Sequence, residues 1–415
     1  LRSKKTILFA LSGNFIEMFE FSLFGIFASV ISKVFFSNSV YGTLYSLIIL
    51  STGFLARPLG AAIFGHIGDR YGRRPALIAS TALMSLATFG IGILPPPYEI
   101  GFIAPFILLL LRVIQGISCG GEYIGTVVYL FEHFSSKKHG LAGAIAAGSG
   151  MTGMLVAILV SYFSTSYLPS QWGWRVPFLV APIFGLIIMY VRKQLKETEL
   201  FKKNLEKKEI IKYPLKKVLQ KYIPQLFSTI SIGGFNGILT FTLVVYLNIF
   251  VLKYTNIPFS PVLSINFIAV CFFILSTLTF GVAKDKWQLS IPFCLSFFSI
   301  FTFLSAPIIY ICLLQGSYTF VLMGEILLGI IAGSFSACCN IFMCQIFPSN
   351  IRFSGVAFGY TIGTSLLGGT APAFCHMLIE TTKEPLMPAV YLAMGAVISL
   401  ITTRFFSFKT NSDSG

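Results

Sequence analysis

Twelve apolar segments, each about as long as a lipid bilayer is thick, follow one another along this chain. They cover residues 6–34, 41–66, 75–96, 101–133, 139–168, 173–194, 223–253, 259–283, 289–311, 315–346, 352–380 and 385–408. A helix needs about 20 apolar residues to cross the hydrocarbon core. Water is scarce there, so each segment must close its backbone hydrogen bonds within itself. Porin-type strands alternate apolar and polar residues over about 10 positions, and these runs do not. The expected fold is therefore an all-α membrane protein with twelve transmembrane helices. Several segments exceed the minimum, which predicts tilt or projecting ends. Only 11% of the 415 residues are charged, against roughly 25% in a soluble globular chain.

The formal net charge of +15 would suggest a nucleic-acid partner in a soluble protein. Its distribution argues otherwise. An even number of spans puts both termini on one side, and that side collects most of the 30 Lys and Arg residues. Arg2, Lys4 and Lys5 fall there, then Arg70, Arg73 and Arg74, Lys137 and Lys138, the run from Arg192 to Lys221, Lys284, Lys286, Arg352, Arg404 and Lys409. The opposite side keeps Lys33, Arg175, Lys253 and Lys383. Such an excess marks the cytoplasmic face, so both termini are expected there. The positive balance is topology, helped by anionic lipid, and no nucleic-acid partner is expected. The first apolar segment is too long for a cleavable signal, and no cleavage-like site follows it.

The eight Cys show no CxxC and no Cys/His metal spacing, and they read as small buried apolar residues. No Ser/His/Asp, metal or phosphate-cradling set is present, so neither an enzyme nor a cofactor is expected.

KQLKETELFKKNLEKKEIIKYPLKKVLQKY, residues 193–222, is the only long polar connection. It divides the chain into an N-terminal six-helix bundle (1–194), a linker (195–222) expected to lie as amphipathic helix on the membrane surface, and a C-terminal six-helix bundle (223–415). The halves echo each other. GHIGDRYGRR (65–74) has a counterpart in GVAKDKWQL (281–289), where Gly65, Asp69 and Arg70 meet Gly281, Asp285 and Lys286. RVIQGISCGG (112–121) is echoed more faintly by EILLGIIAGS (325–334), where Arg112 meets Glu325. Paired halves of this kind characterise alternating-access transporters.

Against this apolar background the buried ionisable residues stand out. Glu17 and Glu20, in SGNFIEMFEFSLFG, share one face of a helix. Placing a carboxylate at membrane depth costs roughly 2.5–3.5 kcal/mol, so such groups line a cavity or pair. Two carboxylates this close do not readily both stay charged in a low dielectric, which makes at least one a candidate to exchange a proton near neutral pH. Arg112, Gln115, Cys119 and Glu122 form one stripe of the fourth span. Arg112 stays charged and needs a counter-charge, for which the choices are Glu17, Glu20, Glu122 and Glu325. Exchange of that partner with substrate or proton would couple transport to the gradient; a static ion pair is the alternative. Arg57, before Pro58 and toward the end of its span, is expected only to snorkel.

Asp69 in GHIGDRYGRR is placed to face a helix N-terminus, and Arg70 and Arg73 to pair with Glu132. Regular four-residue glycine spacings in the fourth and eleventh spans (Gly116 and Gly120; Gly355, Gly359 and Gly363) predict close helix contact.

Read together, these stretches resemble the major facilitator superfamily, and within it the metabolite:proton symporter branch. GNFIEMFEF resembles the family's first-helix GNxxEWxDF, with Glu20 as a lengthened Asp. RPLGAAIFGHIGDRYGRR, LLRVIQGISCGGEYIG, QWGWRVPF, ETELF and FPSNIRFSGVAFGY with GGTAP follow in family order. The resemblance implies two six-helix bundles around a central cavity. It also implies a latch in which Asp69 meets the start of helix 11 near Arg352–Gly355, with Asp285 as a weaker second copy that has lost its GRR. Proton coupling is expected of Glu17, Glu20, Arg112, Glu122 and Glu325. Gating is expected of Asp69, Arg70, Arg73, Glu132 and Asp285. Substrate lining is expected of Arg112, Gln115, Ser149, Asn236, Thr240, Asn340, Tyr360 and Thr361.

GGEYIG and LMPAVYLA are most similar to proline/betaine members, which implies uptake of a small zwitterionic or carboxylated metabolite with H+ across a bacterial inner membrane, by a monomer. Two departures, GAIAAGSGMTG in the fifth span and Tyr360–Thr361 in place of Tyr–Asn, keep a dicarboxylate or shikimate-type acid open as substrate. An uncoupled facilitator or exchanger, or a non-transporting receptor, are the remaining classes. The sequence ends at Gly415 without the coiled-coil tail of osmosensing relatives, so osmotic regulation is not expected.

Overall fold

The structure, a computed structural model, describes residues 4–36, 41–71, 73–192, 214–348 and 351–412. Twelve helical rods follow in chain order. α1 is Lys4–Ile26 continued by Ala28–Phe35, α2 is Gly42–Leu55 continued by Arg57–Tyr71, and α3 is Arg73–Ile93. α4 is Ile103–Ser118 continued by Glu122–His133, α5 is His139–Tyr167 and α6 is Arg175–Arg192. α7 is Ile223–Phe241, a π turn Thr242–Tyr246, then Leu247–Tyr254; α8 is Phe259–Trp287, α9 Ile291–Leu314 and α10 Tyr318–Gln345. α11 is Arg352–Gly363, a π turn Thr364–Gly369, then Ala371–Thr382, and α12 is Met387–Ser412.

Ten of these rods are long and apolar enough to cross a membrane, and α1, bent by 53° at Phe27, makes an eleventh. The apolar stretch of α3, Ile78–Ile93, falls short of that length. The fold is that of a multi-pass all-helical membrane protein with two six-helix halves. Of the expected linker, residues 193–213 lie outside the described residues, and Pro214–Lys221 is helical.

Burial sorts the rods into inner and outer positions. The apolar windows of α7 and α10 are 94% and 83% buried, against 39% for those of α6 and α12. Outer faces carry Leu86, Phe106, Leu186, Leu304 and Ile401 to the surface, which suits lipid rather than water. Small residues let the inner rods touch. A Cβ on Gly116 of α4 would fall 1.9 Å from the Gly53 carbonyl oxygen of α2, so the two backbones meet where only glycine fits.

Besides α1, bent at Phe27, four rods are interrupted where they line the interior. α2 breaks at Ala56 and α4 between Cys119 and Gly121, while α7 and α11 widen into π turns. Such breaks free backbone groups and re-aim side chains, and in lipid-embedded proteins they persist only where protein or a cavity supplies partners.

Candidate buried charge network

The break at Ala56 turns Arg57 inward. Its guanidinium is buried, 3.8 Å from the Glu17 carboxylate, and lies 4.3 Å from the Phe21 ring centroid. The expectation that Arg57 would snorkel is thus corrected: α2 starts afresh at this residue and points it at α1.

Arg112 is fully buried, yet no carboxylate lies within ion-pair distance of it among the described residues. The expected pairing with Glu17, Glu20, Glu122 or Glu325 is not formed. Arg112 Nη1 donates to Gln115 Oε1 at 2.8 Å, and its guanidinium lies over the Phe21 ring, 3.9 Å from the centroid. Nε and Nη2 of Arg112 have no hydrogen-bond acceptor. Gln115 Nε2 donates in turn to Thr88 Oγ1 at 2.7 Å, and Thr88 Oγ1 reaches Glu20 Oε2 at 3.1 Å. Ser85 Oγ donates to the other Glu20 oxygen at 2.6 Å. Arginine and carboxylate are joined by two neutral side chains, and the Thr88 hydroxyl that closes the link also lies 3.0 Å from the Met84 carbonyl of its own helix, a second acceptor for its one hydrogen. Helix α3 supplies Ser85 and Thr88, which nothing in the sequence pattern singles out, since buried Ser and Thr are common in apolar helices.

Glu122 opens the second segment of α4, where the helix dipole favours a negative charge. Ser80 Oγ lies 3.5 Å from its carboxylate. Glu17, Glu20 and Glu122 line one cavity with Ser80, Thr81 and Ser118, of about 10 Å³, room for roughly one water molecule. Glu325 sits apart, in the other half, fully buried on α10 and hydrogen-bonded to Asn266 at 3.2 Å.

A second network joins the halves. Tyr123 of α4 stacks on Tyr360 of α11, ring centroids 5.4 Å apart, and donates to Asn340 Oδ1 at 3.1 Å. Asn340 Nδ2 donates to the Gly143 carbonyl of α5 at 3.1 Å. Asn236 Nδ2 lies 3.4 Å from Tyr360 Oη, and Ser336 Oγ donates to Asn236 Oδ1 at 2.6 Å. Of the expected lining residues, Asn236, Asn340 and Tyr360 meet here, with Tyr123 added. Thr240 lines a second cavity, otherwise largely apolar, between α1, α2, α5 and α7. Ser149 is taken up by Asn14 of α1 at 2.9 Å, and the Thr361 hydroxyl turns back onto its own helix at Ala357.

The halves also meet at the end bearing both termini. Arg352 Nη1 pairs with Glu132 Oε1 at 2.9 Å, a partner for Glu132 that the sequence reading does not name. Asp285 accepts from the Gly140 and Leu141 amides at 2.7 and 2.8 Å, capping the start of α5 from the opposite half. This second copy, which has lost its GRR, makes its two bonds through the aspartate alone. The side chains of Asp69, Arg70 and Arg73 lie outside the described residues. Toward the other end, Ser365 Oγ donates to the Phe54 carbonyl at 2.6 Å and Ser51 Oγ to that of Gly369 at 3.2 Å. Both ends of the space between the halves are bridged.

Comparison with known proteins agrees with this fold. The family model of the Major Facilitator Superfamily matches residues 10–372. A putative proline/betaine transporter of Staphylococcus aureus (strain COL) is 29% identical over 427 aligned residues, covering 100% of this chain and 90% of that protein. The proline/betaine transporter of Escherichia coli (strain K12) is 30% identical, over 96% of this chain and 82% of its own length. Among solved structures, the proton:xylose symporter XylE bound to 6-bromo-6-deoxy-D-glucose superposes with a TM-score of 0.74 at 15% identity, covering 97% of this chain and 94% of that one. A partially occluded inward-open conformation of XylE from E. coli gives 0.75 at 16%, covering 97% of each chain.

Proposed function

This chain belongs to the Major Facilitator Superfamily, and from that premise we propose that it is a proton-coupled symporter taking up a small zwitterion of the proline/betaine kind by alternating access. It is a membrane transporter of a small molecule; the solute, the coupling ion and the direction are the proposal. The basic residues crowd the end that carries both termini, which supports a cytoplasmic placement of that end in a bacterial inner membrane. One chain contains both halves of the pathway, so the monomer is taken as the working unit.

The observation that carries the reading is the buried chain Arg112–Gln115–Thr88–Glu20. A carboxylate at membrane depth, tied to a guanidinium only through neutral groups, can gain or lose a proton without an ion pair being pulled apart. Arg112 keeps two unengaged N–H groups, which suits a substrate carboxylate, the planar guanidinium being able to hold it by two parallel bonds. A substrate carboxylate held on Nε and Nη2 would add a negative charge to the network while Nη1 keeps its bond to Gln115; a proton taken up at Glu20 would offset it. Glu17 with Arg57, and Glu122 at its helix start, complete the charged lining. Tyr123 and Tyr360, stacked across the halves, are suited to receive the cationic end of a zwitterion over their faces. The Arg352–Glu132 pair and the Asp285 cap would hold the cytoplasmic end shut and part when that end opens. Asp69, Arg70 and Arg73 are assigned to the same gate from sequence alone.

A second reading follows from Arg57, the additional buried guanidinium: two cations on one ring, Phe21, also suit a dicarboxylate. Uptake by purified protein in liposomes tests both. Accumulation of labelled proline or glycine betaine under an inward proton gradient, abolished by a protonophore, is the expected result. Gradient-insensitive equilibration would overturn the coupling, and accumulation of a dicarboxylate alone would replace the zwitterion.

A further inference from the structure

The acids linked to or lying beside Arg112 and Arg57 all belong to the N-terminal half, yet the other half buries a carboxyl group of its own. Glu325 is wholly buried in the first third of α10. Its Oε2 accepts from Asn266 Nδ2 of α8 at 3.2 Å, and its Oε1 has no hydrogen-bond partner. No cation pairs with it among the described residues. The charged groups on the helices around it are engaged elsewhere or stand at the surface. Lys253 of α7 pairs with Glu380, Lys284 of α8 with Asp285, and Arg352 of α11 with Glu132. Lys286 of α8 is exposed. Of α4, Glu122 faces the acidic cavity and Glu132 the gate. α5 and α9 carry no Asp, Glu, Lys or Arg; their titratable groups are His139, Tyr162 and Tyr167, and Cys294, Tyr310 and Cys312.

The amide that touches Glu325 also touches the backbone. Asn266 Nδ2 donates to the Leu243 carbonyl at 2.9 Å, and Leu243 lies in the π turn of α7, Thr242–Tyr246. The next carbonyl, that of Val244, accepts from Asn248 Nδ2 at 3.0 Å. Two asparagine side chains thus satisfy carbonyls in the one place where α7, the most buried of the apolar rods, departs from α-helical geometry. One of those asparagines is shared with an unpaired acid.

We propose that Glu325 is a second proton-carrying site, separate from the arginine-linked acids, and that Asn266 passes its charge state to the bend in α7. As a carboxylate, Glu325 draws both Asn266 N–H groups toward itself and away from Leu243. As an acid it competes less for them and has a proton of its own to donate, which leaves Asn266 on the Leu243 carbonyl and the π turn intact. Protonation from one side of the membrane and release to the other then becomes a change in the shape of a central helix. This inference rests on the proposed proton coupling for its use in transport, but the titration and the helix response are properties of the folded protein alone.

Infrared difference spectra of the purified full chain, recorded while pH is stepped between about 5 and about 9, read the carboxyl groups directly. The expected result is a protonated-carboxyl band that disappears in Glu325→Gln and persists in Glu20→Gln. Spin-label distances between the two segments of α7 should shift with pH in the unaltered protein, and lose that shift in both Glu325→Gln and Asn266→Leu. A band unchanged in Glu325→Gln overturns the inference, whether or not a protonophore stops uptake. A lost band with a pH-dependent α7 shift that survives Asn266→Leu overturns the part assigned to Asn266. Should Asn266→Leu fail to fold, Asn266→Ala, which also carries no donor or titratable group, takes its place with the same expected loss.

Discussion

Arg112 and Glu20, on different helices and both fully buried, are connected through Gln115 and Thr88 by bonds of 2.8, 2.7 and 3.1 Å. Charges separated by neutral relays in a low dielectric still feel each other, but either can change partner without first breaking a direct ion pair. That distinguishes a site built to exchange from one built only to hold helices together.

Removing one relay member should therefore uncouple rather than unfold. Thr88→Val keeps the side-chain shape and deletes both the donor to Glu20 and the acceptor for Gln115. Gradient-driven uptake should fall by about tenfold or more while solute exchange without a gradient changes less. Equal loss of both activities would assign Thr88 to packing.

Arg57 and Glu17 should behave as a unit. Truncating Arg57 to Ala leaves a carboxylate buried without its cation, a defect that typically costs about 3–5 kcal/mol, whereas replacing both members by apolar residues is often close to neutral. Thermal unfolding of Arg57→Met, Glu17→Leu and the double variant in detergent measures this. The double variant should be more stable than the sum of its parts, and strict additivity would show that the 3.8 Å approach contributes nothing.

At the end bearing both termini, Arg352–Glu132 is partly exposed, with side-chain exposures of 17% and 28%. Such pairs contribute about 0.2–1 kcal/mol. Asp285 caps two amides, a role more like a helix N-cap, worth about 0.5–2 kcal/mol. Asp285→Ala should accordingly open this end more than Glu132→Ala does. Thiol labelling at an introduced Ser149→Cys, compared with its parent, reads the opening, and an unchanged labelling rate in both variants would remove the gate assignment.

Two glycines five residues apart should differ sharply. Alanine at Gly116 would drive a methyl to 1.9 Å from the Gly53 carbonyl oxygen, whereas a Cβ at Gly121 meets nothing within 4 Å. Gly116→Ala should cost roughly 1–3 kcal/mol or more through overpacking and lower the yield of folded protein. Gly121→Ala should be recovered in near-normal amounts, as size-exclusion profiles would show.

The apolar spacing by itself determined the fold class, the number of rods and the division into halves, since a helix in lipid has no alternative way to satisfy its backbone. It also marked Glu17, Glu20, Arg112, Glu122 and Glu325, because a charge inside an apolar run is conspicuous in any reading. What it could not decide was which of them meet. Partner choice depends on where helices bend, and the breaks at Ala56 and Cys119–Gly121, like the π turn at Thr242–Tyr246, are set by contacts between rods distant in sequence. Those breaks turned Arg57 inward, gave Glu122 a helix start and brought Asn266 to a backbone carbonyl. Ser85, Thr88 and Tyr123 stayed invisible for a related reason: an uncharged polar residue in a membrane helix becomes distinctive only once its neighbour across the interface is known.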